Sequence, residues 1–332
     1  MATEQQFNKG KFVISLDFEL LWGVRDKKTI ESYGTNILGV QQAIPAMLKL
    51  FDKYQAKATF STVGFLFAKN REELKASQPA VLPAYDDPKL SPYPDLAIVG
   101  NDEHDDPYHF GYSLLQQIVV NGNHEIGTHT HCHYYCLEPG QTIESFRQDL
   151  LAAKKIGLAN HINVRSLVFP RNQFNEEYLQ CCKEVGIDSY RGNPTSWLYA
   201  GRNKNDESLT RRAFRFIDTY INLTGYHCHT KEHVTASTIT NIAGSRFLRP
   251  WSKRFSFLDG LRLNRIKKAM LHAARAKKLF HLWWHPHNFG VNLEENYRFL
   301  EKVLKYYKKL QKKYDFESIT MSGIADELKK SP

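Results

Sequence analysis

The sequence predicts an α/β fold, a single (β/α) barrel with insertions. Short apolar runs alternate with amphipathic helical stretches, the pattern of parallel strands covered by helices. Acidic groups and histidines follow directly after several apolar runs, where α/β barrels keep their chemistry. With 332 residues and neither an internal repeat nor a low-complexity tract, the chain reads as one domain over 1–332. An insertion near 77–110 and a basic segment near 245–278 interrupt it.

In order, Lys11–Asp17 (KFVISLD) is an apolar run ending in an acid and reads as a buried strand. Gln41–Tyr54 spaces Ile44, Met47, Leu48 and Phe51 as one helix face, and Lys57–Val63 is rich in strand formers. Ser77–Phe110, rich in proline, aspartate and histidine, is too long for an ordinary connection and reads as a surface insertion. Then come a helix over Leu114–Asn121, a strand over His124–Thr128 and a helix over Ser145–Leu158. A strand over Ser166–Phe169 is stopped by Pro170, and a helix over Glu176–Val185 is closed by Gly186. Asn264–Lys278 is a basic helix, Leu279–Trp284 a strand and Glu295–Leu310 a long amphipathic helix.

Hydrophobic residues at 42% and aromatics at 13% supply a sizeable core, which excludes a disordered chain. No apolar run reaches the length of a membrane-spanning helix, and the N-terminus lacks the pattern of a secretory signal. Five cysteines, an odd number with Cys181 and Cys182 adjacent, read as reduced thiols of a cytoplasmic protein. Forty-five basic against thirty-five acidic side chains leave +10. That excess favours polyanionic or phosphorylated partners or an anionic membrane. Nucleic acid is not among the expected partners, because no recognition motif accompanies the charge.

Three clusters can carry chemistry. Asp17 and Glu19 flank Phe18 at a strand end and point the same way, either into one pocket or into solvent. In EIGTHTHCHYYC, His129, His131 and His133 fall within five residues. Imidazoles four apart converge on a metal from a tight loop, though spacing alone does not say which pair ligates. Cys132 and Cys136 suit a structural zinc site less well, because no second cysteine pair supports one. In FHLWWHPHNFG, His285 and His287 follow an apolar strand, where each is either a general acid or base or a structural histidine. His227, His229 and His233 are a further, weaker metal candidate.

Taken together, ISLDFEL, EIGTHTHCH, VFPRNQ and WWHPHN resemble, in order, the motifs of the polysaccharide deacetylases, the NodB-homology carbohydrate esterases. The resemblance spans Lys11 to about Gly290, and its specific part is the H-T-x-x-H element after E-I-G. It implies an irregular (β/α) barrel that removes acetyl groups from sugars with one divalent metal ion, zinc being the expected one. It also implies that Asp17 is the catalytic base, that Glu19, His129 and His133 hold the metal, that Arg171 orients the base and that His285 protonates the leaving group. Phe18 stands where the commoner motif has a second aspartate, so the carboxylate ligand falls to Glu19. No clear match for the aspartate that tunes the late histidine occurs in GIDSYRG (186–192); Asp188 is a poor candidate.

The expected substrate is an acetylated glycan or lipid-linked sugar in a bacterial surface-polysaccharide pathway. Alternatives are a related hydrolase of non-peptide C–N bonds and a catalytically silent glycan-binding module. Ser245–Lys278, with eleven Lys or Arg and one acid, reads as an outer helix with a solvated basic face. Its other reading is peripheral contact with an anionic membrane or a pyrophosphate-linked glycan. Asp102, His104, Asp105 and Asp106 belong to a solvated acidic loop or to the rim of the sugar cleft.

Overall fold

The computed structural model describes residues 5–199 and 208–330. Among the described residues, nine strands form one sheet: β1 Lys11–Phe18, β2 Thr59–Thr62, β3 Glu125–Thr128, β4 Ser166–Leu167, β5 Ser189–Tyr190, β6 Thr240–Asn241, β7 Arg246–Phe247, β8 Leu279–Trp284 and β9 Glu317–Ser318. Their order is β6-β5-β4-β3-β2-β1-β8-β7, with β9 beside the start of β1, and all pairings are parallel. The segment between β6 and β7 bridges the two edges: Ile242 N–H bonds Tyr190 O, and Ser245 N–H bonds His281 O. A curled, incompletely closed barrel results.

All eight residues of β1 are buried, as expected of a parallel strand covered on both faces. Even Lys11 is buried, its ammonium held by Glu317 at 2.7 Å and Glu327 at 2.5 Å. The helices are α1 Ile30–Leu38, α2 Val40–Tyr54, α3 Arg71–Ala76, α4 Tyr112–Asn121, α5 Ile143–Ala159, α6 Glu176–Glu184, α7 Leu209–Asp218, α8 Lys231–Thr235, α9 Asp259–Arg275, α10 Leu293–Tyr314 and α11 Met321–Lys330. Capping fixes several of their starts: Thr29 with Ser32 and Thr142 with Ser145 form reciprocal capping boxes, and Asn175 caps α6. Helices α2, α9 and α10 pack outside β1 and β8 through residues such as Phe51, Met270 and Leu300. None of the described helices is long and apolar enough to cross a membrane.

Two sequence expectations change. The 77–110 insertion is anchored as well as solvated: Asp102, His104 and Asp105 are exposed as expected, whereas Tyr93, Leu96, Val99 and Phe110 are buried. Tyr108 O and His109 O accept bonds from Leu21 N–H and the Trp22 indole. Asp106 is engaged by His109 Nδ1 at 2.7 Å and by Gly100 N–H. The basic segment does not present a uniformly solvated face either. Arg246, Arg262 and Arg265 are buried, with Arg246 Nη1 2.7 Å from the buried carboxylate of Asp218.

Candidate active site

The C-terminal strand ends gather the chemistry. Asp17 is the penultimate residue of β1, and Glu19 begins the 3-10 turn after it. Phe18 between them points into the apolar core, and the left-handed φ of 47° at Leu20 turns the chain away behind Glu19. Gly23 leaves the room this requires, because a β-carbon there would collide with the Glu19 carboxyl.

His129 follows β3. The loop after it reverses through left-handed φ values at Thr130 (63°) and His133 (61°), so the two histidines converge from a tight loop rather than from a helix. Asp149 on α5 ties the loop down, accepting from His131 N–H at 2.7 Å and Cys132 N–H at 3.1 Å. Burial raises the Asp149 carboxyl to about 6.

Glu19 Oε2 lies 3.2 Å from both His129 Nε2 and His133 Nε2. The three ligand atoms lie within 4.8 Å of one another, the one such set among the described residues. His129 Nδ1 is 2.8 Å from Val168 O. A carbonyl only accepts, so Nδ1 carries a proton and Nε2 is the atom turned toward Glu19. Burial lowers His133 to about 4, leaving it a neutral imidazole. Burial alone would raise the Glu19 carboxyl, but His285 and the hydrogen bonds from His129 and His133 hold it well below the usual range. Two imidazoles and one carboxylate, buried and converging, fit a divalent cation.

Asp17 sits beside this set. Arg191, immediately after β5, grips it with both arms, Nη1 to Oδ1 at 2.6 Å and Nη2 to Oδ2 at 2.8 Å. Burial raises the Asp17 carboxyl; Arg191, His129 and His285 outweigh it and leave it lowered, hence ionised. The guanidinium is itself fixed, stacked 4.0 Å from the Trp283 ring and donating to Ser15 Oγ and Asn172 Oδ1. Beneath it, buried His281 holds Ser15 Oγ at 2.8 Å.

The expectation that Arg171 orients Asp17 is therefore corrected. Arg171 pairs with Asp26 at 2.5 Å and Glu138 at 2.9 Å and stacks on Tyr135. Its φ of 55°, in the 3-10 turn after β4, belongs to a backbone reversal before the neighbouring Asn172 reaches Arg191. Arg191, which sequence reasoning misses, lies in GIDSYRG (186–192). No local pattern marks it, because the strand before it is only Ser189–Tyr190. Asp188 in the same stretch binds Arg165.

His285 follows β8 with Nε2 3.6 Å from Asp17 Oδ2 and 3.7 Å from Glu19 Oε1. In place of an aspartate, Asn288 Nδ2 lies 3.3 Å from His285 Nδ1, and Tyr33 OH lies 3.5 Å from Asn288 Oδ1. His287 stacks on His285 with Nδ1 3.9 Å from Glu19, and burial lowers it to about 3. His131 points away, Nε2 to Ser77 Oγ at 3.2 Å and ring edge on Phe65. All five cysteines are free, and none joins a metal-type cluster among the described residues. His229 and His233 stack on each other, while His227 binds Thr224.

No curated protein matches the chain in sequence. Residues 33–190 match the family model described as polysaccharide deacetylase. Among solved structures, the fold is similar to a Mycobacterium smegmatis protein assigned to the polysaccharide deacetylases. That pair has a TM-score of 0.62 and 12% identity, covering 99% of this chain and 94% of the other. A Pseudomonas aeruginosa PAO1 protein assigned to the same class gives 0.53 and 12%, over 97% and 90%. The allantoinase Puue gives 0.51 and 10%, over 97% and 90%. Residues 33–190, just under half of the chain, thus resemble the polysaccharide deacetylase family in sequence, and the curled barrel is similar in fold to solved structures assigned to that class.

Proposed function

We propose that this chain is a metal-dependent deacetylase acting on an acetylated sugar, free or lipid-linked, in bacterial surface-polysaccharide synthesis. The observation that carries the reading is the convergence of Glu19, His129 and His133 beside an arginine-clamped Asp17 and His285. Glu19, His129 and His133 would hold a divalent ion, zinc by preference, whose chemistry there is to polarise the acetyl carbonyl and acidify water.

The protein's own groups account for the proton traffic. Asp17 is an ionised carboxylate fixed by two hydrogen bonds, so it accepts the proton of the attacking water without rotating away. Its pairing with Arg191 weakens it as a base, but the same pairing keeps it deprotonated and in place. His285 delivers a proton to the departing amine or alcohol. The transferred proton is the Nε2–H of the imidazolium, the atom that faces Asp17 and Glu19, and Asn288 contacts the ring's other nitrogen, Nδ1, at 3.3 Å. Burial and the Glu19 charge raise the Tyr33 phenol to about 12, so its hydroxyl stays a donor toward Asn288.

The test is acetate release from acetylated oligosaccharides by the metal-loaded protein, with metal content measured in parallel. Asp17→Asn should retain metal and lose turnover by roughly 100-fold or more. His129→Ala should lose the metal, and His131→Ala should keep it. A native protein that takes up no divalent metal and releases no acetate would refute the reading.

A further inference from the structure

Helix α7 is inverted. Its polar residues Arg211 and Asp218 are buried, whereas Leu209 is 78% exposed, Phe214 50% and Ile217 41%. The apolar row continues past the helix with Ile221, 57% exposed. The ring of Phe216 packs on Phe255 at 4.9 Å, joining α7 to the 3-10 turn Lys253–Leu258. There Phe257 is 78% exposed, and Leu261 in the first turn of α9 is 50% exposed. Single exposed apolar side chains are ordinary; six on adjoining elements mark a contact surface.

The charge around them is mainly basic, with Glu295 of α10 beside the start of α9 and the neighbouring Glu294 paired with Arg298. Arg212, Lys253 and Arg254 are exposed. From Ser208 to Leu261 the acids are Asp218, Glu232 and Asp259. Asp218 is buried against Arg246 and Arg265, and Asp259 is paired with Arg262. Glu232 lies apart on α8.

We infer that this face docks the protein onto the surface of an anionic lipid bilayer, α7 lying in the interface plane. Apolar residues would enter the acyl boundary while the arginines and lysine meet the headgroups. A symmetric dimer through the same face is disfavoured, because it would bring two copies of the basic patch with Arg212, Lys253 and Arg254 together. The inference stands apart from the deacetylase reading, since none of these residues belongs to the active site.

The full-length protein is sedimented with vesicles of phosphatidylcholine alone and of phosphatidylcholine and phosphatidylglycerol in equal parts. Binding is expected only to the anionic vesicles, with release by about 1 M salt. Phe214→Asp and Ile217→Asp, both at exposed positions, should each weaken binding roughly tenfold or more. Arg212→Glu should weaken it roughly fivefold or more while leaving the apolar row intact. Circular dichroism verifies that each variant is folded. Absence of vesicle binding overturns the inference, as does equal binding to neutral vesicles. Undiminished binding by all three variants also overturns it, and so does a solution dimer that Phe214→Asp abolishes.

Discussion

Asp17 has a choice of arginines in sequence and none in space. Arg171 is drawn to Asp26 and Glu138, while Arg191 reaches Asp17 with two hydrogen bonds and is itself braced by Trp283, Ser15 and Asn172. A planar guanidinium matches a carboxylate bidentately, and an ammonium does not. Arg191→Lys is therefore expected to lower kcat roughly 10- to 100-fold, the usual cost of disturbing the group that orients a reacting residue. Arg171→Gln leaves that contact in place and should cost less. Turnover of both variants on one acetylated oligosaccharide checks the assignment, and equal losses would contradict it. The left-handed residues around the site carry a cost as well. Thr130, β-branched at φ 63°, is held in a conformation worth about 1–3 kcal/mol of strain. Its hydroxyl accepts from Tyr134 N–H at 2.6 Å, and Asp149 secures the next two amides.

Between elements, the tightest constraint is the contact of α1 with the 3-10 turn Pro286–Phe289 after β8. A β-carbon on Gly290 would meet the Asn36 carbonyl, and one on Gly39 would meet the Gly290 carbonyl. Neither glycine has a positive φ, so space and not conformation requires them. The turn they admit carries His287 and Asn288, and Asn36 Nδ2 bonds His287 O at 3.3 Å. Gly290→Ala should push the turn off α1, costing about 1–3 kcal/mol of stability as an overpacked contact does. It should also lower kcat by displacing Asn288 from His285. Gly260→Ala, in the first turn of α9 with open space around it, is the control and should not destabilise. Urea denaturation of the two variants gives the comparison.

Over the whole molecule, several histidines are buried as neutral rings. Burial lowers His124 to about 4 and His229 and His281 to about 3, each from an ordinary value near 6.5. Their folded values lie below the unfolded one, so the unfolded chain binds more protons as the solution is acidified. The stability they contribute is complete above pH about 6.5 and drains away as pH falls toward the folded values. Each contributes a slope of at most about 1.4 kcal/mol per pH unit. On chelator-treated protein, the urea midpoint should fall from pH 6.5 to 4.5, above the range where Asp17 and Glu19 add their own loss. His281→Gln should flatten that slope. A midpoint constant over the interval would contradict the account.

By itself the sequence determined the βα alternation, the long strands β1 and β8, the helices α2, α5 and α10 and the positions of Asp17, Glu19, His129, His133 and His285. Each is a local signal: apolar period, strand length, spacing of ligating types. The two-residue strands β4 to β7 and β9 carry too little pattern to read beyond the single apolar stretch before Pro170, and they exist because neighbouring strands supply their hydrogen bonds. Only the tertiary structure decided which arginine clamps Asp17, that Asn288 and Tyr33 stand behind His285, and that α7 turns its apolar face outward. Those outcomes depend on distances between residues far apart in the chain. Like-charged candidates such as Arg171 and Arg191 are equivalent until the barrel curls and one of them finds nearer carboxylates.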